Sequence, residues 1–82
     1  MKESDRRVLR AAARVLAANG GDWPGAEQIG EDMGGVDADV VADTLRTLQR
    51  NGYVRLDGAF AGDASAAVYV QEITAKGQQI VG

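Results

Sequence analysis

"DADVVADTLRTLQRNGYV", residues 37–54, carries the signal on which the fold turns. Asp37 is a natural N-cap, because a short carboxylate can accept from the unpaired amides that open a helix. The helix it predicts, over 38–51, sets Val41, Thr44, Leu45 and Leu48 on one face, which is the spacing of a buried stripe. Asp39, Ala42, Asp43, Arg46 and Arg50 fall on the opposite side. Asn51-Gly52 closes the helix, and "YVRL", 53–56, reads at once as a strand.

Upstream, "AEQIGEDM" (26–33) predicts a two-turn helix burying Ile29 and Met33. Gly34-Gly35 follows as a turn, and Gly30 is the small residue expected where this helix crosses the next. Before it, "GDWPG" is a short extended piece, since the residue preceding proline is pushed out of helical geometry. Trp23 is expected there as a cap on the core edge. Residues 5–18 form an amphipathic helix with Val8, Leu9, Ala12, Val15 and Leu16 inward, Ser4 as N-cap and Asn19-Gly20-Gly21 as the stop. Leu45 and Leu48 are expected to pack on Leu9, Leu16 and Ile29.

Downstream, a loop rich in Gly and Asp leads to "AVYVQEI" (67–73), a second strand pairing back on the first. Thr74 is placed to cap a last short helix over 75–81, in which Gly77 is an unfavourable residue. The expected fold is therefore α+β, with three core helices, a two-stranded hairpin and a short C-terminal helix. Eighty-two residues support one domain, 1–82, because so short a chain builds a single small core.

Composition narrows the chemistry. The chain has no Cys and no His, which removes disulfides, thiol nucleophiles and the commonest general base and metal ligand. Asp37-x-Asp39 begins like a calcium loop, but Val41 and Ala42 stand where a ligand and a glycine are required. The glycines lack the Lys-Ser/Thr ending of a phosphate loop, and Ser4 and Ser65 have no histidine to activate them. No enzyme activity, metal or cofactor is expected. With no apolar run long enough for a signal peptide or membrane span, a cytoplasmic location is the expectation.

The net charge of −3 hides a striped distribution. Residues 1–19 hold five bases against two acids, residues 20–45 hold seven acids and no base, and residues 46–82 hold four bases against three acids. Partners of opposite sign would therefore meet different parts of the chain.

Ile29-Gly30 with Gly34, then Val41, Leu45, Leu48, Gly52, Tyr53 and Val54, and finally Ile73-Thr74-Ala75-Lys76-Gly77, form a pattern that resembles winged helix-turn-helix regulators of the bacterial MarR and PadR type. The resemblance covers roughly residues 8–78. It implies a transcriptional regulator whose third helix enters the major groove of double-stranded DNA, with Arg46, Thr47, Arg50 and Arg55 as the contacting residues. Such families usually place Ser, Thr, Arg or Lys on the first exposed turns of that helix, where Ala38, Asp39, Val40, Ala42 and Asp43 stand here. Their wings usually bear Arg or Lys, where this loop has Gly58, Phe60, Gly62 and Asp63.

An unpaired carboxylate facing a phosphate adds repulsion, so the alternative is a protein–protein interaction module on the same scaffold. Asp39, Asp43 and Phe60 would then face a basic protein surface. Arg6, Arg10 and Arg14 form a second charged stripe, read chiefly as a solvated helix face. The chain is expected to be a monomer, a weak homodimer through its first helix, or a piece of a longer protein.

Overall fold

The computed structural model describes residues 1–57 and 68–81. The chain is α+β, in the order α1 (Glu3–Ala18), α2 (Ala26–Asp32), α3 (Ala38–Arg50), β1 (Val54–Asp57), β2 (Tyr69–Ile73) and α4 (Ala75–Val81). Phe60 lies outside the described residues.

Helix α1 begins before Ser4. Lys2 occupies the N-cap without a side-chain bond, so Ser4, expected to cap, sits inside the first turn. Glu3 and Asp5 give that turn negative charge, which the helix dipole favours whether or not a hydroxyl caps it. Val8, Leu9, Ala11, Ala12 and Val15 are buried and Leu16 is half-buried. The alanines bring the backbone close to its neighbours, and α1 packs on all three other helices and on β2.

Between α2 and α3 the Gly30 carbonyl accepts from both Gly35 N and Val36 N, each at 3.0 Å. A Cβ at Gly30 would collide with the Val36 carbonyl oxygen. The small residue is thus required by the turn folding back on its own helix. The crossing with α3 contributes only an ordinary contact, 3.5 Å to a Val41 methyl carbon.

Helix α3 opens as its sequence predicts, with Asp37 Oδ1 accepting from Asp39 N at 2.9 Å. Val41, Ala42, Leu45 and Leu48 are buried and Thr44 is half-buried. Ala42, assigned to the polar side by the sequence pattern, belongs to the core. It stands about 100° from Val41 on the wheel but one turn from the buried Leu45, and the inward arc of α3 is wide enough to include all three because α1 and α2 cover it from two directions. The helix ends in paired bonds, Gly52 N to Gln49 O and Tyr53 N to Leu48 O, both 2.9 Å, around a Gly52 φ of +84°.

Strands β1 and β2 are antiparallel, pairing Val54 with Ile73, Arg55 with Glu72, Leu56 with Val70 and Asp57 with Tyr69. Val54 and Leu56 point inward at the regular two-residue spacing, whereas on β2 the inward residues are Val70 and Ile73, three apart. A bulge at Gln71 reconciles the two, since one extra residue restores the phase. The extended piece around Pro24 joins the other edge of β2: Val70 N donates to Pro24 O at 2.9 Å and Ala26 N to Val68 O at 3.1 Å.

Helix α4 is capped by Thr74 Oγ1, which accepts from Gly77 N at 3.2 Å. A Cβ at Gly77 would strike the Tyr53 carbonyl oxygen and an Ile73 methyl carbon. What looks like a helix weakness is the condition for α4 to lie against the α3–β1 turn.

Leu9, Ile29, Leu45, Leu48, Val54, Val68 and Val70 are among the core residues, and no polar or charged residue is buried with them among the described residues. Trp23 does not cap this core: it is 49% exposed. Pro24 takes the buried place beside it.

Candidate functional site

The outward face of α3 is built by its own periodicity. Asp39, Asp43, Arg46 and Arg50 follow at intervals of four, three and four residues, so they form one continuous stripe, acidic at the start and basic at the end. That order suits the helix itself, whose N-terminus carries partial positive charge and whose C-terminus carries partial negative charge. Asp39 in the first turn and Arg50 in the last therefore have a role in helix stability independent of any partner.

Arg46 Nη1 donates to Asp43 Oδ1 at 3.0 Å, across one helical turn. Thr47 Oγ1 donates to the Asp43 carbonyl at 3.2 Å and Thr44 Oγ1 to the Val40 carbonyl at 2.9 Å, so both hydroxyl protons are turned into the helix. On β1, Arg55 Nη1 donates to Glu72 Oε1 at 3.0 Å, directly opposite in the register. Gln49 Oε1 accepts from Leu56 N at 2.8 Å and ties β1 to the C-terminal half of α3.

Of the four residues expected to meet DNA, Arg46, Thr47 and Arg50 thus share one half-helix, with the strand of Arg55 fastened beside it. Two of the three arginines already face carboxylates. Arg50 is exposed and enters no ion pair among the described residues. Asp39 and Asp43 are exposed on the leading half of α3, next to Val40, which is 55% exposed.

The arginine stripe of α1 divides into three different situations. Arg14 donates from Nε at 2.9 Å and from its second terminal nitrogen to the same Asp32 oxygen, linking α1 to α2. That hydrogen bond, and then the carboxylate's charge, raise the Arg14 pKa above the ordinary guanidinium value. Arg10 is exposed, while Arg6 is half-buried with its Nε shut off from solvent and from any hydrogen-bond partner among the described residues. Arg7, Arg10, Arg14, Asp32, Met33 and Val36 line an open groove of about 380 Å³.

A further surface involves Tyr69, a residue that no sequence motif marks. Trp23, on the extended piece before α2, and Tyr69, at the start of β2, together line two adjoining grooves of about 440 and 300 Å³. Tyr69 is 41% exposed. Its outward aim follows from Val68 and Val70 on either side being buried. Its nearness to Trp23 comes from a strand pairing between distant segments, which no local pattern announces.

Among the described residues no group of three or more carboxylates stands where it would hold a metal ion, and no helix is long and apolar enough to cross a membrane. No protein-family model, curated protein or solved structure matches the chain.

Proposed function

We propose that the chain is a winged-helix domain of the kind used by bacterial transcription regulators, and that it works by contact with a basic protein surface and not by gripping duplex DNA. The element order, the extended piece pairing with β2, and the Thr74-to-Gly77 closure of the hairpin support the architecture. The reading is of a non-catalytic binding domain.

The pairing of Arg46 with Asp43 and of Arg55 with Glu72 carries the functional part. Exposed pairs of this kind are weak, so the bonds themselves present little obstacle. The obstacle is what remains when they open: each arginine that turns to a phosphate leaves a carboxylate on the same face. Non-specific affinity scales with phosphates neutralised without such compensation, and of Arg46, Arg50 and Arg55 only Arg50 offers that. The same face presents Asp39, Asp43 and the exposed Val40, a combination of charge and apolar area that suits a basic protein surface.

The exposed Arg50 favours a second reading, in which Arg46, Thr47, Arg50 and Arg55 bind DNA. A chemical-shift titration with random-sequence duplex at low and physiological salt separates the two. The protein-contact reading expects no saturable shifts at physiological salt. Saturable shifts on the α3 and β1 amides, lost when Arg46, Arg50 and Arg55 are all replaced by Ala, would overturn it.

A further inference from the structure

Large aromatic side chains left in water forgo the stabilisation that burial would give them. Trp23 and Tyr69 are the two exposed aromatic residues among the described ones, and they share their grooves. Gly25, between them in the pairing, leaves room for this arrangement: a Cβ there would come within 3.2 Å of the Tyr69 ring. The aromatic surface is thus built by the backbone pairing of two segments.

The charge around it has one sign. Asp22 and Asp57 line one groove, Glu27 and Glu31 the other, and among the described residues neither groove is lined by a Lys or Arg. None of these four carboxylates enters an ion pair among the described residues. They hold no arginine, whereas Asp32, Asp43 and Glu72 elsewhere on the surface each hold one. An aromatic face attracts a cation through its quadrupole, and a planar guanidinium additionally stacks on the ring while its edge donates to carboxylates. An ammonium ion is also drawn to a ring and also donates, but it is a compact, strongly hydrated point charge that cannot stack.

From this we infer that the Trp23–Tyr69 surface is a docking site of the domain and that its occupant is an arginine-bearing segment of a partner protein, with a guanidinium over the rings and its N–H groups on the flanking carboxylates. This goes beyond the protein-contact reading of α3 and rests on it, adding a second contact surface at the edge formed by the extended piece and β2. A second copy of this chain is the competing occupant, since Arg7 and Arg10 on α1 are exposed.

Trp23 is the chain's only tryptophan, so its fluorescence reports on the groove directly. The test titrates the full chain with hexa-arginine, hexalysine and an uncharged peptide of equal length, at low and physiological salt. Saturable change with hexa-arginine is expected, tighter than with hexalysine by about two- to five-fold, because the guanidinium stacks on the rings and is more weakly hydrated than an ammonium ion. Tyr69→Ala should remove that preference, and replacement of Asp22, Asp57, Glu27 and Glu31 by their amides should abolish binding, with circular dichroism confirming that both variants fold. Equal affinity for both cationic peptides, or unchanged binding by either variant, would overturn the site. So would concentration-dependent self-association, seen by sedimentation, that Tyr69→Ala removes. Failure of the groove with no DNA binding leaves the broader protein-contact reading standing, whereas saturable duplex binding by α3 defeats that reading on separate residues.

Discussion

The hydroxyl of Thr74 lies 2.6 Å from the carbonyl oxygen of Gly52 and donates to it. The same oxygen atom of Thr74 accepts from Gly77 N, while Thr74 N donates to Tyr53 O at 3.0 Å. One residue therefore satisfies the end of α3 and the start of α4 together. Lys76 adds a second fastening, with Nζ donating to Asn51 O at 2.8 Å and lying 4.7 Å from the centre of the Tyr53 ring.

Replacing Thr74 by Ala removes both side-chain bonds. The expected loss is about 1 to 2 kcal/mol, the range for a helix cap with an added hydrogen bond. Thr74→Ser keeps the hydroxyl and should recover most of it. Urea melts of the two variants measure the difference, and equal losses would show that the methyl group, not the hydroxyl, does the fastening.

Gly77→Ala separates local preference from packing. Helix propensity alone favours Ala by about 1 kcal/mol. The collision with the Tyr53 carbonyl and Ile73 reverses the sign, and the variant is expected to lose about 1 to 3 kcal/mol, as overpacked sites do. A melting temperature above that of the parent chain would show that α4 stands away from the turn.

Leu45 is fully buried in the cluster that contains Leu9, Ile29 and Leu48. Leu45→Ala should cost about 2 to 5 kcal/mol in a urea melt. A loss below about 1 kcal/mol would be too small for a leucine truncated in a packed interior and would contradict the inward face of α3.

Asp43→Asn removes one negative charge from the α3 stripe and releases Arg46 from its partner. Affinity for random duplex at low salt is expected to rise, and to fall back as ionic strength increases, with a salt slope steeper by about 0.9 as Arg46 neutralises one more phosphate. Unchanged binding across salt concentrations would show that the stripe never approaches the duplex. Selective weakening on one sequence would instead show an aspartate reading cytosine.

Most helix positions and the α+β order are legible in the sequence because they are written locally. Asp37 caps its own helix, Gly52 ends it, and the 41-45-48 spacing declares a buried face within a dozen residues. Ser4 is misread because a capping residue type is common near helix starts, while the true start depends on where the chain first gains a favourable end charge. Ala42 is misread because alanine fits either face, and only the covering by α1 and α2 decides.

The candidate surfaces divide in the same way. That Asp43 and Arg46 share a stripe is visible from spacing, but their bond is a matter of side-chain geometry. The meeting of Trp23 with Tyr69 depends on pairing between residues 46 positions apart in the sequence, and neither residue's own neighbourhood signals it. The regulator-like pattern points to the third helix, whereas the aromatic surface is made by an extended piece and a hairpin strand that carry no such pattern.

Gln71 lines neither aromatic groove, yet it governs how one of their walls is presented. With Gln71 deleted, Tyr69, Val70, Glu72 and Ile73 would alternate outward and inward as an unbroken strand, and every pairing with β1 would survive. Because a bulge adds bend and twist to the strand that carries it, the shortened hairpin would keep its core but rotate Tyr69 relative to Trp23. The extra residue is thus an angular spacer: a domain without it would be as well folded and would aim its tyrosine elsewhere.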